Sequence, residues 1–357
     1  MSDLESVLER YVQLHAGEKR SFNLPMFNSY AVTNFRGGIG KTTLSFNLAY
    51  ELSKRQRMLF VDMCPQKNFS ELLLKEDAHE PKGRNIYDAL LGRIMGNAWV
   101  ESREVNDFPL ARRVRDSNKE FENSKLCHVI PGSSELFLFP SVLYTQLNQF
   151  YSMVQTNKEK AVANLLNALN DIIENERMDL KFEATLIDTS PFFGGGTHLA
   201  WSAAEALIIP VRVDEQSIFA LELTLKMLHD ESSDFNTWRK RAGIERKPKV
   251  QAIIMTHCGW NRQSRYQIDS TSKMYIERAI DISNKYAECF STEVPAEHFA
   301  LLSDFHSTGK ISGSLAIPIT KLVPGSFHTV ERKRLQVNDS DRYHKELSYV
   351  ISLICGS

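Results

Sequence analysis

Residues 36–43 combine glycines, a lysine and threonines at a spacing suited to binding phosphate. The stretch reads Arg36-Gly37-Gly38-Ile39-Gly40-Lys41-Thr42-Thr43. Backbone N–H groups in such a loop point at phosphate oxygens, and the lysine ammonium can reach the terminal phosphates. The hydroxyl of Thr42 is suited to binding Mg²⁺. We therefore expect Gly37 to Thr43 to bind a nucleoside triphosphate, with Lys41 acting on its reacting phosphates.

The loop lies between segments that the sequence predicts to be a strand and a helix. Residues 29–34 are typical of a buried strand, and residues 44–52 place apolar side chains at helical spacing. In this arrangement the helix N-terminus faces the phosphates, where the helix dipole favours negative charge. A glycine-rich turn without a ligand is the alternative, and the Gly-Lys-Thr sequence at the junction argues against it.

Asp188 is the candidate second ligand for Mg²⁺. It follows the apolar run 184–187 and precedes Thr189-Ser190-Pro191. The C-terminal ends of parallel strands face the ligand crevice, so this carboxylate should lie near the phosphate loop. A helix N-cap is the alternative role.

Apolar runs alternate with helical patterns along most of the chain. Strands are predicted at 58–61, 126–130, 184–187, 206–209 and 250–255, and helices at 85–95, 162–173 and 218–228. This alternation predicts an α/β fold with a mostly parallel, doubly wound sheet and helices on both faces. Residues 97–125 are polar and weakly periodic, and we interpret them as an insertion at the edge.

Composition argues against several classes of protein. The 357 residues carry a net charge of −1, so any contact with nucleic acid requires a local patch. Five cysteines without a Cys-x-x-Cys pair argue against a disulfide framework or a zinc site. The N-terminus lacks the pattern of a signal peptide, and no run reaches the ~20 apolar residues of a membrane span. We therefore expect a cytoplasmic protein without a membrane partner.

At the phosphate loop the chain resembles the ParA/MinD family of deviant-Walker ATPases, whose loop reads K-G-G-x-G-K-[TS]-T. The general P-loop pattern requires glycine at position 35, where this chain has Phe35. In that family the first lysine crosses a dimer interface and contacts the partner subunit's nucleotide. The resemblance assigns this catalytic role to Arg36, which can bind phosphate oxygens like an arginine finger. A solvated loop charge is the alternative.

Further motifs extend the resemblance from about residue 30 to about residue 260. Asp62-Met63-Cys64-Pro65-Gln66 resembles the family's D-x-D-P-Q stretch, which implies that Asp62 supports the Mg²⁺ shell. Cys64 occupies the place of the second acid, which helps to orient the attacking water in the family. A thiol does this poorly, so we expect tight binding of ATP and Mg²⁺ with slow hydrolysis, unless another residue supplies the contact. The strand near 251–257 resembles the one that ends at adenine, which makes Thr256 and His257 candidate base contacts.

Relatives that act on the nucleoid bind DNA without sequence preference through a basic surface. Here basic residues flank the strand predicted at 250–255, namely Arg239, Lys240, Arg241, Arg246, Lys247, Lys249, Arg262 and Arg265. Phosphate contacts from this cluster would depend strongly on salt. A solvated loop is an equally good interpretation, and both stay open.

We divide the chain into three parts. Residues 1–25 are predicted to form an amphipathic helix and a linker, 26–330 the ATPase domain with its insertion at 97–125, and 331–357 a C-terminal helix packed on the core. The first helix, with a capping box at Ser2 and Glu5, either packs on its own domain or binds a partner. The tail from Glu346 to Cys355 has an apolar stripe, but its polar face lacks the lysines and arginines that anionic lipids require.

The resemblance, closest to ParA/Soj-type partition ATPases, implies two alternative functions. In the first, ATP closes a sandwich homodimer that binds DNA, which would associate the protein with the nucleoid. A partner protein then stimulates hydrolysis, the dimer leaves the DNA, and a plasmid or other cargo is positioned in this way. In the second, a nucleotide-locked dimer is a regulatory or structural subunit of a plasmid- or phage-related module. Metabolic ligases and iron–sulfur reductases share the fold, but a bridging cluster requires paired cysteines, which Cys127 alone does not supply.

Overall fold

The computed structural model describes residues 2–18, 23–79, 84–99, 109–152, 158–260, 267–338 and 340–356. Among these residues, the central sheet consists of β1 (Ser29–Val32), β2 (Met58–Asp62), β3 (Arg112–Arg113), β4 (Cys127–Ile130), β5 (Ala184–Asp188), β6 (Ala206–Arg212), β7 (Lys249–Cys258) and β8 (Phe299–Ser303). Its strand order is β3-β4-β2-β5-β1-β6-β7-β8. All neighbouring strands are parallel except the edge pair β3 and β4.

Helices surround this sheet. They are α1 (Asp3–Ala16), α2 (Lys41–Ser53), α3 (Asn68–Leu74), α4 (Ile86–Trp99), α5 (Val114–Ser117), α6 (Phe139–Ser152), α7 (Lys158–Leu166), α8 (Ala168–Leu180), α9 (Gly195–Ala203), α10 (Glu215–His229), α11 (Asp234–Arg241), α12 (Ser270–Lys285), α13 (His306–Leu315) and α14 (Ser340–Cys355). Short 3₁₀ turns join several of them.

The sheet separates two apolar cores, because side chains alternate between its faces. On β1, Ala31 lies in one core, whereas Tyr30 and Val32 lie in the other. Apolar side chains of α8, α9, α10 and α12 cover the first face, and those of α2, α3 and α14 cover the second. The predicted α/β fold, with a mostly parallel, doubly wound sheet, is confirmed.

The predicted strands are present, with small shifts at their ends, and two strands of the central sheet, as well as the hairpin strands described below, were not predicted. β3 is too short to produce a periodic pattern, and β8 is an apolar run in the part of the chain that we left without a strand prediction. The helix predicted at 162–173 consists of two helices, α7 and α8, which meet at Asn167.

Part of the segment 97–125 packs firmly against the sheet edge. From residue 109 onwards it contributes β3 and α5, and Val114 and Phe121 are fully buried. The side-chain amide of Asn118 donates to the carbonyls of Leu72 (3.0 Å) and Ala316 (3.1 Å). This region is therefore bonded both to α3 and to the segment that follows α13.

Both terminal helices pack beside β8. The buried Tyr11 of α1 donates its hydroxyl to Glu346 of α14. The same carboxylate accepts from the backbone N–H (2.9 Å) and the hydroxyl (2.6 Å) of Ser303, at the end of β8. The Trp260 ring stacks on Tyr11 at 4.5 Å, and its indole N–H donates to Ser303 (2.9 Å). This network, which we call the terminal network, joins α1 and α14 to the sheet.

The apolar stripe of α14 is buried against the core, with Leu347, Val350, Ile351 and Ile354 all at most 1% exposed. Two carbonyls of this helix accept hydrogen bonds from core side chains. The Gln251 amide donates to the Leu353 carbonyl (3.1 Å), and the Tyr30 hydroxyl donates to the Ile354 carbonyl (3.0 Å). Among the described residues, no helix combines the length and apolarity needed to cross a bilayer.

A small hairpin precedes α14. β9 (Phe327–Val330) and β10 (Lys333–Gln336) pair in antiparallel register, so that Lys333 faces Val330. A third apolar cluster, which includes Val330 and Ile311 of α13, lies beneath the hairpin. The domain boundary that we placed between residues 330 and 331 falls inside this paired unit.

Candidate nucleotide-binding site

The loop between β1 and α2 turns at two glycines. Gly38 and Gly40 have φ values of +71° and +83°, a left-handed conformation that glycine adopts without strain. The amide of Asn34 donates to a β6 carbonyl (2.7 Å), and its oxygen accepts from the backbone N–H of Arg36 (2.9 Å). These bonds fix the start of the loop, so that α2 begins at Lys41 beside the C-terminal ends of the strands.

Lys41 is buried at the base of this loop, with 7% of the residue exposed. Its ammonium donates to the carbonyl of Arg36 at 2.5 Å. Burial lowers the pKa of Lys41 to about 8, although the charge of Asp188 acts in the opposite direction. A desolvated ammonium of this kind is stabilised by an anion, so the environment favours a phosphate ligand.

Asp188 lies at the end of β5 and is fully buried. Its two oxygens accept hydrogen bonds from the hydroxyls of Thr42 (3.1 Å) and Ser45 (2.5 Å), both on α2. Burial, followed by the nearby charge of Asp62, raises the pKa of Asp188 to about 7. A carboxylate beside a hydroxyl offers the hard oxygen donors that Mg²⁺ prefers, so these residues fit the ion.

Asp62 lies directly beside Asp188, because β2 and β5 pair these two residues in register. Its oxygens accept from the backbone N–H of Cys64 (3.0 Å) and from the N–H (2.8 Å) and hydroxyl (2.7 Å) of Ser70. Gly132 packs closely against this carboxylate, and a Cβ at that position would lie 3.0 Å from the Asp62 carboxyl carbon. Burial raises the pKa of Asp62 to about 6. Asp62 therefore holds the loop after β2, and its place in a Mg²⁺ shell stays a prediction.

Cys64 lies within the same crevice and is 4% exposed. Burial, and next the charge of Asp62, raise the pKa of its thiol to about 12. The thiol is therefore neutral at physiological pH and cannot act as an anionic base. The prediction of slow hydrolysis depends on a thiol that orients water poorly, and a neutral thiol has this property.

Arg36 contacts residues of its own chain. Its guanidinium pairs with Asp214 and donates to the hydroxyl of Ser217 at 3.1 Å. Asp214 also caps α10 by accepting from the Ser217 N–H at 2.9 Å, and Arg212 approaches it at 3.5 Å. The sequence gives a signal for this cap, an aspartate directly before the helical pattern, which we did not use. The role of Arg36 at a dimer interface stays a prediction.

A cavity of about 600 Å³ adjoins the phosphate loop. Gly38, Ile39, Gly40 and Thr43 form one side of it, and Thr256 and His257 lie at the end of β7. His257 has a φ of +59°, and burial lowers the pKa of its imidazole. The structure thus brings both candidate base contacts next to the loop. Most of the remaining wall lies between Leu302 and Lys310, at the end of β8 and just after it, and it was missed because that strand was missed.

The glycines at 194–196 allow close packing. A Cβ at Gly195 would lie 3.0 Å from the Pro140 Cα, and one at Gly196 would lie 3.2 Å from the carbonyl oxygen of Met63. The start of α9 therefore lies directly against α6 and the loop after β2.

The basic cluster predicted for DNA is largely bonded within the fold. Glu231 lies within 3.5 Å of Arg239, 3.1 Å of Lys240 and 3.2 Å of Lys247. Other basic groups are also engaged: Arg241 covers the rings of Trp238 and Tyr151, Lys249 donates to the Glu288 carbonyl, and Arg246 donates to a carbonyl before β6. Arg262 and Arg265 lie outside the described residues. We call residues 239–249 the basic segment.

Comparison with known proteins identifies relatives of this chain. The family model described as an AAA domain (AAA_31) matches residues 28–237. The chain is 25% identical over 251 residues to the chromosome partitioning protein ParA of Myxococcus xanthus, covering 70% of this chain and 71% of that protein. It is 38% identical over 232 residues to an uncharacterized protein of Pseudomonas putida, and the match covers 65% of this chain and 70% of that protein.

Solved structures confirm the fold. A Cyanothece McdA variant in complex with ATP superposes with a TM-score of 0.61 at 17% identity, covering 92% of this chain and 96% of that one. The apo form of McdA superposes with a TM-score of 0.55 at 19% identity, and the match covers 81% of this chain and 90% of that one.

Proposed function

Because the chain belongs to the AAA domain family matched above, as a P-loop ATPase of the ParA/MinD type, we propose that it is a slow ATPase that dimerises on ATP and positions a cargo on DNA. The observation that carries this proposal is the convergence of Lys41, Thr42 and Asp188 at the first turn of α2. These groups supply a buried cation for phosphate and oxygen donors for a divalent ion.

ATP is the proposed substrate. Amides of the loop from Gly37 to Thr43 would surround its phosphates, with Lys41 neutralising the terminal charges. Its base would enter the adjoining cavity, beside Thr256 and His257. Thr42 and Asp188 would hold Mg²⁺, which supplies charge neutralisation at the phosphates when bound.

The slow rate follows from the environment of Cys64. Positioning of the nucleophile is a large part of phosphoryl-transfer catalysis, and a neutral thiol is a weak hydrogen-bond acceptor for water. The acid already present beside it, Asp62, is engaged by Ser70 and the backbone. Without a partner, we therefore expect hydrolysis to be limited by orientation of the attacking water.

Arg36 would act across a homodimer. To reach the partner subunit's nucleotide it must leave Asp214 and Ser217, with which it is bonded in the single chain. A triphosphate carries more negative charge than one carboxylate, so a closed dimer offers the guanidinium a stronger partner. ATP binding is thereby linked to closure.

A second function is favoured by one observation, the burial of the Cys64 thiol beside Asp62, which holds the thiol neutral. A thiol that stays neutral supports a nucleotide-locked dimer that serves as a regulatory or structural subunit, in which a partner protein reads the dimer and hydrolysis plays little part. In the first function, the partner protein stimulates hydrolysis on DNA in the cytoplasm.

Single-turnover hydrolysis of labelled ATP, with and without double-stranded DNA, separates the two functions. A rate that rises when DNA is added supports the ATPase. Bound ATP that survives for hours both with and without DNA supports the locked subunit. Sedimentation with and without ATP and Mg²⁺ tests the dimer in either case. A chain that binds no nucleotide by calorimetry would contradict both functions.

A further inference from the structure

A set of three potential metal ligands lies far from the nucleotide crevice. His229 ends α10, whereas Glu288 and Cys289 lie in a 3₁₀ turn between α12 and β8. One ligand atom from each side chain lies within 4.8 Å of the other two. The sequence argument against zinc considered only closely spaced cysteines, and it could not anticipate that the fold joins positions 229 and 289.

We propose that His229, Glu288 and Cys289 bind a divalent transition-metal ion of the zinc class. An imidazole, a carboxylate and a thiol are the three side-chain types that bind Zn²⁺ in proteins. A thiolate ligand disfavours Mg²⁺, which prefers oxygen donors, so this site and the phosphate site should select different ions. The thiolate and the carboxylate together would balance the charge of a divalent cation.

The surroundings fix part of this geometry. Cys289 is 2% exposed, and its backbone N–H donates to the carbonyl of Tyr286 at 2.9 Å. The Tyr286 ring lies edge-on to the imidazole of His229, with centroids 5.4 Å apart. The carbonyl of Glu288 accepts from Lys249 at 2.7 Å, which ties the turn to β7. Two of the three ligands are therefore on a turn that is already ordered.

The site also has room for further ligands. The side chains of His229 and Glu288 contact each other and are 52% and 56% exposed. They border a cavity of about 530 Å³, which would admit a water molecule as a fourth ligand. Lys247 lines the same cavity, but its ammonium is paired with Glu231 at 3.2 Å, which offsets its repulsion of a cation.

A bound ion would join the C-terminus of α10 to the connection that precedes β8. The 15 residues of α10 span about 22 Å, and Asp214, which holds Arg36, caps the opposite end of this helix. The proposed role is therefore structural and does not depend on the proposed ATPase activity.

The test uses the full chain without an affinity tag, stripped of metal with a chelator and titrated with Co²⁺ alone. We expect one ion per chain and a cobalt–thiolate charge-transfer band that is absent in Cys289→Ser. The exchange Cys355→Ser, in a thiol on α14, should leave the band unchanged. His229→Gln, at a half-exposed position, should weaken Co²⁺ binding by roughly a hundredfold or more, because it removes a direct ligand.

Two further measurements make the outcome decisive. Zn²⁺ should raise the melting temperature of the wild-type chain and not that of His229→Gln, while ATP affinity should be equal in both. Circular dichroism establishes that Cys289→Ser is folded, and if it is not, the His229→Gln titration decides alone. A wild-type chain that shows no thiolate band, or an affinity that His229→Gln leaves unchanged, overturns the proposal.

Discussion

The nucleotide crevice and the basic segment both contain charged residues that the sequence singles out, yet the fold treats them differently. In the crevice, Lys41 and Asp188 are buried. Burial lowers the pKa of Lys41 to about 8 and raises that of Asp188 to about 7, so it favours the neutral form of each side chain. In the basic segment, Arg239, Lys240 and Lys247 share Glu231 at the surface. Charges that lack adequate partners indicate a ligand, whereas charges that satisfy each other do not.

The largest expected effect is that of Lys41→Ala on nucleotide binding. Removing the buried cation deletes a charge-assisted contact to phosphate, so ATP affinity should fall by about a hundredfold or more. Calorimetry with Mg²⁺ present measures this. Lys54→Ala, at the exposed end of α2, is the matched control and should bind like the wild type. Equal affinity in both variants would remove the distinction between the crevice and the surface.

Cys64→Asp tests the catalytic half of the crevice. A carboxylate at this position can accept a hydrogen bond from the attacking water, so the single-turnover rate should rise by about tenfold or more. Cys64→Ser, which is similar in size but adds no acid, should give no such gain. An unchanged rate in Cys64→Asp would show that another residue orients the water.

The buried acids of the crevice should also make the stability of the nucleotide-free protein depend on pH. The folded-state pKa of Asp188, about 7, lies above its ordinary value, so its favourable contribution is fully present at low pH. This contribution is lost as the pH rises through about 7. Melting temperatures between pH 5 and 8, at constant ionic strength, should therefore decline. Asp188→Asn should flatten this profile, and a profile identical to that of the wild type would contradict the assignment.

Asp214→Asn should favour the closed dimer by a smaller amount. Asparagine preserves the helix cap while weakening the hold on Arg36, and part-exposed ion pairs contribute up to about 1 kcal/mol. We expect ATP-dependent dimerisation at a protein concentration several-fold lower, as measured by sedimentation. Glu215→Gln, which breaks the neighbouring pair with Arg278, serves as the control. If both variants dimerise like the wild type, Asp214 does not restrain Arg36.

Glu231→Gln should produce the smallest effect. It leaves three cations without their shared carboxylate, so affinity for double-stranded DNA should rise by about twofold to fivefold and become more sensitive to salt. Fluorescence anisotropy at two salt concentrations measures both quantities. An increase of orders of magnitude would mean that the basic segment is a masked DNA site.

The sequence indicated which residues meet in the crevice because its signals are local. Glycines at 38 and 40 permit one loop conformation, and an aspartate after an apolar run marks the end of a buried strand. Asp214 was not predicted as the partner of Arg36, because the two residues lie 178 positions apart in the chain. Glu231 is only eight residues before Arg239, but its pairing with three cations depends on side-chain distances that the sequence does not give. β8 was missed because it lies beyond residue 260, where the recognised motifs end, and nothing beside its short apolar run indicates that it joins the sheet.

In the terminal network, α14 bonds directly to Ser303 through Glu346, and α1 bonds to the same carboxylate through Tyr11, while Ser303 lines the cavity beside the phosphate loop. Deleting α1 would leave the Glu346 carboxylate short of a donor and expose one face of the Trp260 ring. Shortened versions of this protein would therefore have an altered cavity beside the phosphate loop. Labels for imaging are better attached to an exposed internal loop.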